Sequence, residues 1–252
     1  MPHTLPKFLK YPLPPSEEGR GEGPLLLLLA LLFPLLTSAQ VGISRSDLAV
    51  GVSGGYVLNR VSFNPTIKQT WHGGATAGVT VRYTCEKYFS SICAVQAELN
   101  YAQLGWKEVI ETSTDTYQRD ASYIQLPVFA RMAWGKEQRG MQFFVMAGPQ
   151  FNFLLSDSDQ RSGEWSDATL TLRPNNVTAQ YDLDIQRKFE YGLAGAAGVE
   201  LSTAIGHFQL EGRYYFALSD MFDNGKKDPF GRSANGAIII KTTYLFDLLR
   251  TK

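Results

Sequence analysis

The chain has 252 residues, with 24 Lys and Arg against 24 Asp and Glu and a hydrophobic share of 44%. Zero formal net charge removes the basic footprint that a nucleic-acid partner requires, and no apolar run reaches the ~18–20 residues of a transmembrane helix. The mean hydropathy of -0.15 does not exclude a membrane barrel, whose alternating strands carry a weak hydropathy signal.

Residues 24–39 read PLLLLLALLFPLLTSA. An apolar core ending in a small-residue Thr-Ser-Ala site has the form of a secretory signal peptide. The expected division is therefore a signal peptide at 1–39, cleaved after Ala39, and one exported domain at 40–252. The Pro-rich, partly acidic stretch before the apolar core is unusual for a signal, which leaves a translation start downstream of Met1 open.

Eight alternating segments follow, at about 47–58, 73–85, 92–104, 123–134, 142–155, 189–201, 208–219 and 236–246. The clearest are the fourth and fifth. One parity of the fourth holds Ile124, Leu126, Val128, Ala130, Met132 and Trp134, and the other holds Tyr123, Gln125, Pro127, Phe129 and Arg131. Such arms match the ~9–11 residues of a membrane-spanning strand better than the ~5–6 of a globular one. The gaps alternate long and short: 59–72, 105–122, 156–188 and 220–235 are long, while 86–91, 135–141 and 202–207 are short. That sorting predicts an all-β, eight-stranded antiparallel up-and-down transmembrane barrel with short periplasmic turns and long extracellular loops.

The strand faces agree. Apolar parity supplies Val79, Val81, Val95, Leu99, Val145, Leu193, Val199, Leu210, Phe216, Ile238 and Ile240. The opposite parity is rich in small residues and carries Arg82, Glu98, Arg131, Glu190, Glu200, Glu211, Arg213 and Lys241. An eight-stranded barrel has an interior just wide enough to be filled by side chains, so these charges are expected to form a lumenal network. On the lipid face each base would cost ~2–4 kcal/mol near the midplane. Tyr101, Trp106, Trp134, Phe143, Phe153, Phe189, Tyr214, Tyr244 and Phe246 lie near strand ends, where aromatic girdles sit. Pro127 and Pro149 fall inside strands and each removes a ladder donor, so each requires a bulge or a locally open pair.

Cys85 and Cys93 flank a short turn and share a parity, which permits a cross-strand disulfide in an oxidising compartment and also two free thiols. His72 and His207 fall at opposite ends of the barrel and cannot share a site; a hydrolase would have to use His72 with loop residues. Asp157 and Asp159 open a run in which Arg161 and Gly163 occupy the next calcium-ligand positions, so no metal or cofactor is expected. Asn176-Val177-Thr178 is a glycosylation sequon by pattern only. Lys226, Lys227, Asp228 and Arg232 read as solvated loop charges that offer contacts to lipopolysaccharide phosphates.

Several stretches carry a family likeness: Glu98-Leu99-Asn100-Tyr101 with Gly105, Tyr123-Ile124-Gln125-Leu126-Pro127, Ala147-Gly148-Pro149, the run from Tyr191 to Glu200, Glu211-Gly212-Arg213-Tyr214-Tyr215, and Tyr244-Leu245-Phe246. In these the chain resembles the PorT-like family of bacterial outer-membrane β-barrels. The resemblance implies an eight-stranded barrel in the bacterial outer membrane and tolerates proline at 127 and 149. It also implies a terminal aromatic strand, here Tyr244 and Phe246, read by the barrel-assembly machinery as an insertion signal, and for some members a link to secretion. The expected function is non-enzymatic: a barrel surrounded by outer-membrane lipid and lipopolysaccharide, structural or accessory to an envelope or secretion complex. The alternatives are a narrow solute channel or ligand-binding barrel, and a hydrolase using His72.

Overall fold

A computed structural model describes residues 43–88, 90–136, 139–173 and 176–250; the expected signal peptide lies outside the described residues. Eight long strands run through it: β1 (Ile43–Asn64), β3 (His72–Tyr88), β4 (Ser91–Glu108), β5 (Thr116–Gly135), β6 (Gly140–Ser162), β7 (Phe189–Thr203), β8 (Gly206–Ala217) and β9 (Arg232–Leu249). A two-residue strand, β2 (Gln69–Thr70), pairs with the outer end of β4. A short helix, α1 (Asp167–Leu170), and a single 3-10 turn at Ala179–Tyr181 lie in the longest loop.

Each long strand pairs antiparallel with its neighbours in sequence, and β1 pairs with β9 from Leu48↔Leu249 to Asn64↔Arg232. The sheet therefore closes into an eight-stranded ring with no free edge, the condition for strands to cross a bilayer. The period-2 pattern decides which face is which. Outward residues such as Val79, Leu99, Leu193 and Ile240 are 46–58% exposed, while their inward neighbours Thr80, Glu98 and Lys241 are at most 3% exposed. Ordinary folding would reverse that sorting. Here an apolar outer surface and a polar, filled interior together mean that lipid is the solvent outside.

The strands run from 12 residues in β8 to 23 in β6, longer than predicted at the long-loop end. Most of the expected loops 59–72 and 105–122 is strand, because alternation continues there: Val61, Phe63, Trp106, Tyr117 and Ala121 are all buried inside the ring. Only the seventh prediction overshoots, since β8 ends at Ala217. Connections remain long at one end (163–188 and 218–231 above all) and short at the other. Trp106, expected in a girdle, shares the parity of Glu98 and is fully buried in the interior.

The prolines open the ladder without shifting its register. Pairing of β4 with β5 lapses between Ala97↔Val128 and Asn100↔Gln125, around Pro127, and that of β5 with β6 lapses between Pro127↔Gln150 and Ala130↔Ala147, around Pro149. The disulfide is not formed. A bulge places Glu86, not Cys85, opposite Cys93; Cys85 Sγ instead donates to the Cys93 carbonyl oxygen at 3.3 Å and both thiols are free. The extra residue turns Cys85 out of the position a cross-strand bridge needs.

Inside the ring, small residues make room for large ones. A Cβ on Gly198 would lie 2.7 Å from the Phe144 ring and 2.3 Å from the Leu210 carbonyl oxygen, closer than atoms pack. The Phe144 ring fills the space that glycine leaves.

Candidate functional site

The structure places all eight predicted charges in the interior of the ring. They form three tiers along the barrel.

The tier nearest the short turns is centred on Glu200 of β7. Arg82 Nη1 and Arg131 Nη2 each donate to its Oε2 at 2.6 Å, and Gln209 Nε2 donates to the same oxygen at 2.7 Å. His207 Nδ1 stands 2.9 Å from Glu200 Oε1, and His207 Nε2 lies 3.1 Å from Asp247 Oδ1. The Phe144 ring lies 4.5 Å from the Arg131 guanidinium, a cation–π contact on a desolvated cation.

In the middle tier Arg213 Nη2 donates to both oxygens of Glu98 at 2.9 Å and to Glu211 Oε1 at 2.5 Å. Lys241 Nζ reaches Glu98 Oε2 at 2.6 Å, while Gln96 and Asn100 complete the shell around that carboxylate. Two acids and two bases cancel within one connected network, the arrangement under which buried ions are tolerated.

The third tier contains Glu190, which has no basic partner among the described residues. It accepts from Asn152 Nδ2 at 2.7 Å, Asn235 Nδ2 at 2.7 Å and Tyr215 OH at 2.9 Å. Asn59 extends the tier by donating to Asn235 Oδ1 at 3.0 Å and to the Gly105 carbonyl oxygen at 2.7 Å.

Above these tiers the long-loop end is closed by aromatic rings. Phe63 stacks edge-on against Trp106 at 5.4 Å and lies 5.2 Å from Phe230; Tyr117 lies 4.8 Å from Tyr181 of the 3-10 turn. Polar pins fasten the loop across them. Tyr181 OH donates to Glu108 Oε2 at 2.8 Å, and Arg173, just past α1, pairs with Asp115 at 2.7 Å with both side chains buried. Arg119 binds Asp157 and donates to the Leu183 carbonyl oxygen at 2.5 Å. Burial raises the Tyr181 phenol above the ordinary tyrosine range, and the neighbouring Glu108 charge adds to the shift.

Two groupings escaped sequence reasoning. The pins Glu108, Asp115, Arg119 and Arg173 lie in segments expected to be loop. Asp157 is turned inward because Leu155 is the extra residue of a bulge between Ser122↔Ser156 and Tyr123↔Leu154, which reverses the parity beyond it. The second is Ser202, His207 and Asp247. Ser202 Oγ is 2.9 Å from His207 Nδ1, so the residue types resemble a nucleophile, base and orienting acid. The geometry does not serve that chemistry. The same Nδ1 faces the Glu200 carboxylate, an acceptor to which its N–H donates, so it has no lone pair for the Ser202 hydroxyl, and Ser202 is itself buried. His72, the histidine singled out from sequence, is buried at the other end with Asp120 Oδ1 3.1 Å from its Nε2. No serine or threonine hydroxyl bonds to it among the described residues.

Residues 38–223 match the profile of a family described as outer membrane protein beta-barrel domain. Similar solved structures include Ail, the attachment invasion locus protein of Yersinia pestis, bound to the heparin analogue sucrose octasulfate; it is 12% identical over 79% of this chain and 99% of its own, with a TM-score of 0.34. Neisserial surface protein A is 12% identical over 79% and 97%, with a TM-score of 0.41. OprG from Pseudomonas aeruginosa is 12% identical over 81% and 98%, with a TM-score of 0.41. No curated protein matches. The family profile spans well over half of the chain, its matched segment takes in the first seven ring strands, and the ring, its apolar exterior and its filled lumen are those of a membrane barrel: the chain belongs to the outer membrane protein beta-barrel domain family.

Proposed function

We propose that this barrel is a sealed, non-enzymatic structural element of the bacterial outer membrane, of the PorT-like kind, and an accessory to an envelope or secretion complex. The observation that carries the reading is the lumen: three tiers of hydrogen-bonded side chains fill it beneath an aromatic cap. The segment 1–39 is its export signal, cleaved after Ala39, and Tyr244 and Phe246 on the last strand are the signal to the barrel-assembly machinery. The exterior at the long-loop end suits lipopolysaccharide. Arg60 stacks on Trp71 at 5.5 Å and Arg232 on Phe216 at 5.2 Å, just above the apolar band.

Reconstituted in planar bilayers, the full-length mature protein is expected to give no single-channel steps; stable steps would replace this reading with that of a narrow solute channel. The accessory role is tested separately, by affinity capture from mildly solubilised outer membranes. Recovery of the same envelope proteins in stoichiometric amounts is expected, and a barrel recovered alone ends that part of the proposal.

A further inference from the structure

The tier at the short-turn end is not electrically closed. Arg82 and Arg131, 5% and 4% exposed, share one carboxylate, Glu200. Three donors already converge on Glu200 Oε2, and His207 occupies Oε1. A carboxylate offers about four lone-pair sites and each guanidinium five N–H donors, so Glu200 cannot satisfy both cations. Arg82 Nε and Arg131 Nε have no hydrogen-bond partner among the described residues. Beside them lies a cavity of about 40 Å³, whose lining brings Arg82, Arg131 and Arg250 together with Glu200, Asp47, Asp247 and His207, with Gln142 in its wall. A water needs roughly 10–15 Å³ measured this way, so the space takes two or three waters or one small polyatomic ion.

From this geometry we propose that the lumen floor is a binding site for a tetrahedral oxyanion of the phosphate class, held between the Arg82 and Arg131 guanidiniums. The other two carboxylates of the lining are already engaged: Asp247 lies 3.1 Å from His207 and 3.8 Å from Arg250, and Asp47 is not free either. Arg82 and Arg131 together carry one more charge than the single carboxylate they share, and both are buried, where such a charge attracts an anion more strongly than in water. Guanidinium forks match oxyanion geometry. The cavity opens inside the ring and not onto the lipid face, so the ligand is a soluble anion and not a phospholipid headgroup. On the topology read above it would enter from the periplasm.

The experiment is a calorimetric titration of the full-length mature protein, in a phosphate-free detergent, with inorganic phosphate and in parallel with acetate and chloride. Because both mouths are accessible in detergent, the outcome does not depend on the sealed-barrel reading or on orientation. Saturable phosphate binding is expected, weakened about tenfold or more by Arg82→Gln and by Arg131→Gln. Either variant could fail to fold, so Gln142→Glu, which leaves the ion pairs intact and adds a negative charge at the cavity wall, is measured beside them, each checked by heat-shifted gel mobility. It too is expected to weaken binding about tenfold. Absence of saturable phosphate binding at millimolar concentrations, unchanged affinity in the folded variants, or acetate or chloride binding as tightly as phosphate would each overturn the proposal.

Discussion

A single phenol illustrates how the outer cap is held. Tyr181 sits in the 3-10 turn of the 163–188 loop, 4% exposed, packed on Tyr117 and Trp165 and donating to Glu108. Burial, reinforced by the Glu108 carboxylate, raises its proton affinity above that of an unfolded tyrosine, near ~10. The folded state therefore holds the proton where the unfolded state releases it. That stability is complete below pH ~10 and declines as pH rises from there towards the raised value. Tyr117, pushed up to about 12 by burial, titrates in the same window with the same sign. Tyr181→Phe is accordingly expected to reduce, not abolish, the alkaline loss of the cap, followed by fluorescence of Trp106 and Trp165. At neutral pH the variant should cost about 1–3 kcal/mol, because Glu108 loses its shortest hydrogen bond while remaining buried. An alkaline transition identical in the two proteins would show that Tyr181 does not pin the loop.

Strands are where the sequence was most readable, for a physical reason. Between lipid outside and packed side chains inside, period 2 has no freedom to drift, so parity alone put Arg82, Glu98, Arg213 and Lys241 on one face of their strands. What parity cannot supply is the partner across the lumen. Lys241 of β9 meets Glu98 of β4 because the shear of the closed ring brings those heights together, and neither strand alone records the shear. Single extra residues hide more. The bulge at Cys85 removed a disulfide that matching parity allowed, and the bulge at Leu155 turned Asp157 towards Arg119. Above the bilayer the constraint weakens. Strand extensions such as Thr116–Ala121 mix Asp, Arg and Gln with Tyr and read as loop, although their inward parity is still buried. The 163–188 loop has no period at all, and its contribution to the cap rests on Arg173 and Tyr181 finding Asp115 and Glu108, contacts that spacing does not encode.

At the scale of the whole molecule, closure depends on the last strand. The family match ends at residue 223, before β9 begins, yet β9 pairs with β8 on one side and with β1 on the other. Both neighbours run antiparallel to β9, so they are parallel to each other. Without it β8 and β1 could meet only in a parallel pairing, with seven strands and a different shear. The alternative, leaving both edges open, exposes rows of backbone N–H and C=O groups to hydrocarbon, each at several kcal/mol. A handful of such groups exceeds the ~5–15 kcal/mol by which a typical domain is stable. A chain ending at Gly231, refolded into lipid vesicles, is therefore expected to give no compact heat-shifted band on a gel and no protease-resistant core, whereas the chain to Lys252 gives both. A compact, protease-resistant product from the shorter chain would mean that the barrel can seal along a β1–β8 seam, and the ring would then owe its closure to the first seven long strands.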